Sequence, residues 1–182
     1  MADGDRVRWD RRYAERPPAA GTDIALPPLF RPFADLFPTV GRAVEIACGT
    51  GEAAVWLAQR GLQVWACDVS PVAIARATHL AQDHAQTERC HFEVRDLDAG
   101  LPPGMPVDVL LCNMFRDPRL DNALVERLAA GGLLAASALS EVGASPGPFR
   151  AGPGELLRAF RGLQPIAADE ADGRAWVLAR KG

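Results

Sequence analysis

Short apolar runs alternate with amphipathic segments along most of the chain. The runs are rich in valine, leucine, isoleucine and alanine, which is the pattern of strands buried on both faces of a parallel sheet. This pattern predicts strands at residues 43–48, 63–69, 90–95, 107–112 and 133–139.

The segments between these strands carry the start and stop signals of helices. Ser70 followed by Pro71 is an N-cap with proline at the first helical position, and Gly61 is placed to end the preceding helix. Together with the apolar periodicity, these signals predict helices at residues 3–16, 29–37, 52–60, 71–86, 120–130 and 154–160.

Strands that alternate with helices at this spacing form βαβ units. We therefore expect an α/β fold: a Rossmann-like, doubly wound, mostly parallel sheet with helices on both faces. Near the end of the chain, residues 164–168 and 175–179 flank Asp172 and Gly173, which predicts a hairpin that adds an antiparallel strand. We expect a single domain over residues 1–182, made of an N-terminal helical cap segment at 1–38 and a core at 39–182.

Composition and charge narrow the classes of function. A chain of 182 residues that is 48% hydrophobic with a net charge of −3 is an ordinary globular protein without a basic surface for nucleic acid. Its apolar runs are far shorter than the ~20 residues that cross a bilayer, and its charged N-terminal sequence lacks a hydrophobic signal core. We expect a cytoplasmic monomer or homodimer with no membrane or nucleic-acid partner. The cysteines and histidines lack metal-ligand spacing, so we expect no metal.

Polar residues follow the first three predicted strands, where ligands bind in such sheets. Gly49 and Gly51 allow a tight turn before a helix N-terminus that suits a carboxylate, and Glu45 is placed to accept from an ammonium group. Asp68 is placed to accept from ribose hydroxyls, and Asp96 from an exocyclic amine such as that of adenine. Each feature alone also has a structural explanation, as a glycine turn or a loop carboxylate. Val69 and Leu97 would add apolar walls.

The motifs EIACGTG at 45–51, CDVS at 67–70, RDL at 95–97 and CNMF at 112–115 carry a family resemblance. In order and spacing the chain resembles the class I S-adenosylmethionine-dependent methyltransferases from about residue 43 onward. The segments WDRRYAE and PFRAGPGELLRAF are similar to the small tellurite-resistance-type branch, whose members act on small molecules.

The resemblance implies a role for each matching position. The core at 39–182 would bind S-adenosylmethionine and release S-adenosylhomocysteine after an in-line displacement. Its methionine part would be held by Glu45 and by the loop residues Ala47, Cys48, Gly49 and Gly51. Asn113 would lie beside the transferring methyl group. Trp9 and Tyr13 would close the pocket from the N-terminal helix, although they are equally explained by packing on the sheet.

The acceptor side is less defined. Methyltransferases that modify nitrogens of nucleic acids and proteins often carry Asn-Pro-Pro-Tyr after the fourth strand, and this chain differs there, which favours a small-molecule acceptor. Met114 and Phe115 would form an apolar wall, and Arg116 and Arg150 are candidates to hold an acidic acceptor, or simply surface arginines.

Two alternatives remain open from the sequence. Residues 49–54 also fit the G-x-G-x-x-A loop of NAD(P)-dependent oxidoreductases, with Asp68 as the ribose acid. Against this stand Glu45 and the lack of a catalytic Tyr/Lys pair, since the only tyrosine and lysine are Tyr13 and Lys181. The second alternative is a non-catalytic cofactor-binding module of the same fold.

Overall fold

The computed structural model describes residues 3–15, 24–147 and 149–182. The helices are α1 (Asp3–Glu15), α2 (Glu52–Gln59), α3 (Pro71–Asp83), α4 (Asp121–Arg127) and α5 (Glu155–Ala159). The strands are β1 (Arg42–Ile46), β2 (Gln63–Asp68), β3 (Cys90–Val94), β4 (Val107–Cys112), β5 (Leu128–Ser140), β6 (Arg150–Ala151), β7 (Gln164–Ala171) and β8 (Arg174–Arg180). Short 3-10 helices cover Arg31–Leu36, Leu97–Ala99 and Pro118–Leu120.

The strands form one sheet in the order β3-β2-β1-β4-β5-β8-β7, with β6 paired to β5. Strands β1 to β5 are parallel, and β8 runs antiparallel between β5 and β7. The predicted fold class is confirmed, including the hairpin at Asp172 and Gly173, which both have positive φ. Chain order reverses between β1 and β4, and ligands of doubly wound sheets bind at such a switch point.

Both faces of the sheet are covered, which explains why its strands are nearly continuously apolar. Val44 and Leu110 pack into one buried cluster together with Leu124 of α4. Leu111, beside Leu110 in the chain, faces the other cluster, which includes Leu57 of α2. Within the described residues, no helix is long and apolar enough to cross a membrane.

Helix α3 starts as predicted. The Ser70 hydroxyl accepts a hydrogen bond of 3.1 Å from the amide of Ala73, and Pro71 occupies the first helical position. Helix α2 ends before Gly61, where a Cβ would lie 2.1 Å from the carbonyl oxygen of Thr39. Gly61 therefore lies in the loop that enters the amino end of β2, and Ser70 lies in the loop that leaves its carboxyl end.

The predicted helix at 120–130 is wrong at its end. Helix α4 stops at Arg127, and β5 begins at Leu128, which is 1% exposed and pairs with Val107. The next pairing joins Val109 to Leu133, so the intervening residues of β5 bulge out of register. Burial of Leu128 against β4 therefore outweighs the helical propensity of the segment.

The N-terminal expectations are met where the structure describes them. Helix α1 covers Asp3–Glu15, and Arg16, the last residue of the predicted helix, lies outside the described residues; a 3-10 helix lies within the predicted 29–37 segment. The sequence predicts a turn-rich connector at residues 17–28, of which residues 17–23 lie outside the described residues.

Candidate functional site

A cavity of about 630 Å³ lies at the carboxyl ends of β1, β2 and β4. Its walls come from these strand ends, from α1 and from the segment at residues 25–31. Twelve of the residues singled out in the sequence line it: Trp9, Tyr13, Glu45, Ala47, Cys48, Gly49, Asp68, Val69, Leu97, Asn113, Met114 and Phe115. The volume lies within the range of pockets for small molecules and cofactors.

Glu45 lines this cavity as a buried carboxylate that lacks a full set of partners. Its side chain is 4% exposed, and Oε2 has no hydrogen-bond partner. Burial, followed by the charge of Glu52, raises the pKa of Glu45 well above its ordinary value, although the amide of Ala54 donates to it. A buried carboxylate of this kind is stabilised by a cationic ligand group, and the ammonium of an amino acid fits this requirement.

The loop after β1 has an unusual backbone. Ala47, Gly49 and Gly51 all have positive φ, at 51°, 55° and 83°. The amide of Gly51 donates to the carbonyl of Cys48, which makes the turn tight. The loop leads into the N-terminus of α2, whose free amides suit the carboxylate of the same ligand.

Asp68 lines the cavity beside this loop. Its carboxylate accepts hydrogen bonds of 2.9 Å from the amides of Gly49 and Ser70. Burial raises the pKa of Asp68, and these amide bonds oppose the shift. A carboxylate has about four lone-pair sites, so beside the amide bonds from Gly49, Ser70 and Val69 the Asp68 carboxylate can still accept from a ribose hydroxyl.

Asn113 is held in place by Ser137, a residue that the sequence analysis missed. The Ser137 hydroxyl donates to Oδ1 of Asn113 over 2.8 Å and accepts from the amide of Met114 over 2.9 Å. Met114 has a positive φ of 57°. The signal in the sequence was a serine within the apolar run of β5. Ser137 is 1% exposed, and a buried hydroxyl needs hydrogen-bond partners.

Helix α1 covers the strand ends. Trp9 and Tyr13 stack with ring centroids 5.8 Å apart, and both line the cavity. The helix is fixed to the core where the Ser70 hydroxyl donates to the Asp10 carboxylate over 2.5 Å. The position of α1 over the cavity agrees with the expected closure by Trp9 and Tyr13.

The sequence analysis also missed several other wall residues. They are four charged or polar side chains, one alanine and a proline-rich segment: Arg12, Arg31, Thr50, Glu52, Ala53 and residues 25–28. Thr50 and Glu52 follow the glycine loop directly, so their proximity was available from the sequence. Arg12 and Arg31 reach the cavity through tertiary packing, for which the sequence holds no local signal.

Four of the expected site residues lie outside the cavity wall. Gly51 has no room for a side chain, because a Cβ would lie 2.7 Å from the Cβ of Ala77. Its glycine therefore allows the start of α2 to pack on α3. Asp96 accepts from the amide of Asp98 and caps the 3-10 helix at Leu97–Ala99, while Leu97 itself lines the cavity.

The two arginines expected to hold an acidic acceptor face elsewhere. Arg116, with 8% of its side chain exposed, forms ion pairs with Asp121 and Glu155 that join α4 to α5. Arg150 donates to the carbonyl oxygens of Ser140 and Gly173. The expectation for both is corrected: their guanidinium groups bind the protein itself, because helix ends and the hairpin there present oxygens.

Among residues 3–15, 24–147 and 149–182, no cluster of three or more histidine, cysteine, aspartate or glutamate side chains is arranged to hold a metal ion.

Comparisons with known proteins agree with this geometry. Residues 43–131 match the family model of the methyltransferase domain. TehB from Haemophilus influenzae superposes with a TM-score of 0.77 at 18% identity, over 96% of this chain and 67% of that one. The N-methyltransferase NodS from Bradyrhizobium japonicum WM9, in complex with S-adenosylhomocysteine, superposes at 0.73 and 18% identity, over 98% and 99%. No curated protein sequence matches the chain.

The structural likenesses establish the fold alone, and the [4+2]-cyclase SpnF shares it at a TM-score of 0.68 and 16% identity, over 96% of this chain and 92% of that one. The family match is more specific, because the matched segment holds Glu45, the glycine loop, Asp68 and Asn113. These residues line the cavity, and they fit an amino-acid end and a ribose. Residues 43–131, just under half of the chain, match the methyltransferase domain, and this match together with the cavity residues supports an enzyme that takes its methyl group from S-adenosylmethionine.

Proposed function

We propose that the enzyme methylates a small-molecule acceptor bound beside the cofactor in the cavity under α1. The observation that carries this proposal is the position of α1, which lies over the strand ends and is bonded to Ser70 through Asp10. A cavity of about 630 Å³ with such a cover has room for a cofactor and a small acceptor rather than for a folded macromolecule.

The proposed cofactor contacts follow the charges of the cavity. Oε2 of Glu45 would accept from the ammonium group, and the amides of the loop at 47–51 and of the α2 N-terminus would bind the carboxylate. Asp68 would bind the ribose hydroxyls, with Val69 and Leu97 as apolar walls for the adenine. Asp96 has no place in this proposal, because it lies outside the cavity wall and caps a 3-10 helix.

When bound, S-adenosylmethionine supplies a methyl group on a positively charged sulfur, which needs no further activation by the protein. The residues of the chain have to align the acceptor and exclude water. Asn113, fixed by Ser137, would position the reacting group, and Trp9 and Tyr13 would cover it. Alignment of this kind can supply roughly 7–11 kcal/mol of the rate enhancement.

The alternative of a nicotinamide-dependent oxidoreductase is disfavoured by the family match and by Glu45, whose buried carboxylate suits an ammonium that nicotinamide dinucleotides lack. Cytoplasmic location, one domain, and the monomeric or homodimeric state stay predictions.

Calorimetry with S-adenosylhomocysteine and with NADH tests the cofactor assignment, and we expect binding of the first alone. Formation of S-adenosylhomocysteine with panels of small thiols, amines and hydroxyl compounds then tests the acceptor class. RNA and unfolded protein serve as macromolecular comparisons. Turnover of RNA or protein with none of the small compounds would overturn the proposal, whereas turnover within the small-molecule panels alone supports it.

A further inference from the structure

The charges in the cavity are divided between two walls. Glu45, Glu52 and Asp68 belong to the core beneath the cavity, at the ends of β1 and β2 and at the start of α2. Arg12 and Arg31 come from the segments that precede β1 in the chain. The two arginines thus line the cavity from elements other than those that supply the carboxylates assigned to the cofactor in the proposed function.

Arg31 is oriented by a firmly packed segment. Its Nε donates to the carbonyl oxygen of Leu26 over 2.9 Å, which leaves the two terminal nitrogens as donors. Leu26 is 2% exposed and Phe30 is fully buried, so the backbone that leads to Arg31 is anchored in the core. The amide of Phe30 also bonds to the carbonyl of Pro27, which closes a turn.

Arg12 lies against the aromatic part of the same wall. Its guanidinium carbon is 5.0 Å from the centroid of the Trp9 ring, and Trp9 stacks on Tyr13. A guanidinium that stacks on an aromatic face keeps its edge N–H groups available for a carboxylate.

Neither arginine has an ion-pair partner among the residues that the structure describes. By contrast, Arg11 on the same helix is paired with Glu15 at 2.8 Å, and Arg116 is paired twice. Two arginines that line one cavity, and that lack a carboxylate partner within the described part of the chain, are suited to bind an anionic ligand.

We infer that the methyl acceptor is a small organic acid whose carboxylate binds Arg12 and Arg31 and whose apolar body packs on Met114 and Phe115. This inference rests on the proposed function, because the loop amides are assigned there to the cofactor's own carboxylate. The carboxylate of the acceptor is then its anchor, and a different group of the same molecule, nearer Asn113, receives the methyl group.

The experiment measures ligand binding to the complex of the protein with S-adenosylhomocysteine. Ligand-observed NMR compares a set of aromatic and aliphatic carboxylates, benzoate among them, with their neutral amides. We expect carboxylates to bind about tenfold or more tightly than the amides, the difference expected for a charged hydrogen-bonded pair.

Two variants and one control locate the site. Arg12→Gln and Arg31→Gln should each lower carboxylate affinity toward that of the amide and leave the affinity for S-adenosylhomocysteine unchanged. Arg8→Gln removes the same charge from the same helix, but Arg8 lies over the rings of Trp9 and Phe149 and does not line the cavity, so carboxylate binding should persist.

The outcomes separate the two proposals. If the carboxylates bind no better than the amides, the inference fails while the proposed function stands. If Arg12→Gln or Arg31→Gln weakens S-adenosylhomocysteine instead, the arginine serves the cofactor's carboxylate, and the inference is again wrong. If the parent protein does not bind S-adenosylhomocysteine, the cofactor assignment itself has failed.

Discussion

The hydroxyl of Tyr13 lies close to Gly49, on the side where a side chain on residue 49 would project. A Cβ built on Gly49 would be 2.9 Å from that hydroxyl oxygen. Gly49 also has a φ of 55°, which L-residues rarely adopt. The absence of a side chain at residue 49 therefore serves the fit of α1 as well as the turn.

We predict that Gly49→Ala lowers stability by about 1–2 kcal/mol, the cost of an L-residue in the left-handed region. It should also displace Tyr13 and weaken S-adenosylhomocysteine binding. In the Gly49→Ala background, Tyr13→Phe should recover part of the binding, because the clashing oxygen is gone. Urea unfolding and calorimetry measure the two effects, and a strictly additive double mutant would contradict the contact.

Binding of S-adenosylhomocysteine should release protons. Burial, and then Glu52, raises the pKa of Glu45 in the free protein. An ammonium beside Oε2 favours the charged carboxylate and lowers that pKa, so the proton is lost on binding. Calorimetry in buffers of different ionisation enthalpy measures the release. Glu45→Gln should abolish it, and exposed Glu88→Gln should not.

The same raised pKa has a consequence for stability. Because the folded state holds the Glu45 proton more tightly than the unfolded chain, the free energy of unfolding contributed by Glu45 decreases as pH rises from its ordinary pKa to the raised folded value. Asp68 has the same sign. Saturating S-adenosylhomocysteine should flatten this dependence, and an unchanged slope would argue against an ammonium at Glu45.

Asp68→Ala should weaken S-adenosylhomocysteine binding by roughly 1.5–3 kcal/mol, the usual contribution of hydrogen bonds to a charged group. Asp96→Ala is the matched control, because Asp96 caps a 3-10 helix outside the cavity wall. Calorimetry should show a clearly smaller effect for Asp96→Ala. Equal losses would restore the expectation that Asp96 binds the adenine amine.

The cysteines should resist alkylation in the native protein. Burial raises the pKa of Cys67, Cys90 and Cys112 to about 12. It also raises the pKa of Cys48 well above its ordinary value. The thiolate is the reactive form, so iodoacetamide at pH 8 should label the folded protein very slowly. Mass spectrometry should find all four modified in urea, and rapid native labelling of Cys112 would contradict this account.

Arg116→Met should destabilise the fold and leave cofactor binding unchanged. The variant leaves the carboxylates of Asp121 and Glu155 without their cation in a partly buried site, at a cost of about 2–3 kcal/mol, somewhat below that of a fully buried pair. Arg119→Met is a control at an exposed arginine that also forms ion pairs and should cost far less. Loss of S-adenosylhomocysteine binding in Arg116→Met would indicate that Arg116 contributes to the binding site.

The strand-end part of the site was predictable from the sequence for a geometric reason. Glu45, Asp68 and Asn113 each follow or end a predicted parallel strand, and the carboxyl ends of parallel strands meet at one edge. The type of fold was predictable for the same reason, since it depends on periodicity and glycine signals within short windows.

The remaining features depend on contacts between distant parts of the chain. Gly51 was assigned to the cofactor, yet a side chain there is excluded by close packing against Ala77 of α3. Arg31 was not singled out, although Leu26 directs it into the cavity wall. Arg116 was assigned to the acceptor because of its position after β4, and the acidic residues that bind it come from α4 and α5.

Ser70 connects three parts of the molecule: its hydroxyl caps α3 and donates to Asp10 of α1, and its amide donates to Asp68. We expect a ligand on Asp68 and the docking of α1 to be coupled through this one residue. By reciprocity, any factor by which a docked α1 strengthens ligand affinity is also the factor by which the ligand favours docking. Truncation of α1 would then raise the dissociation constant of a ligand on Asp68, even apart from the loss of direct contacts.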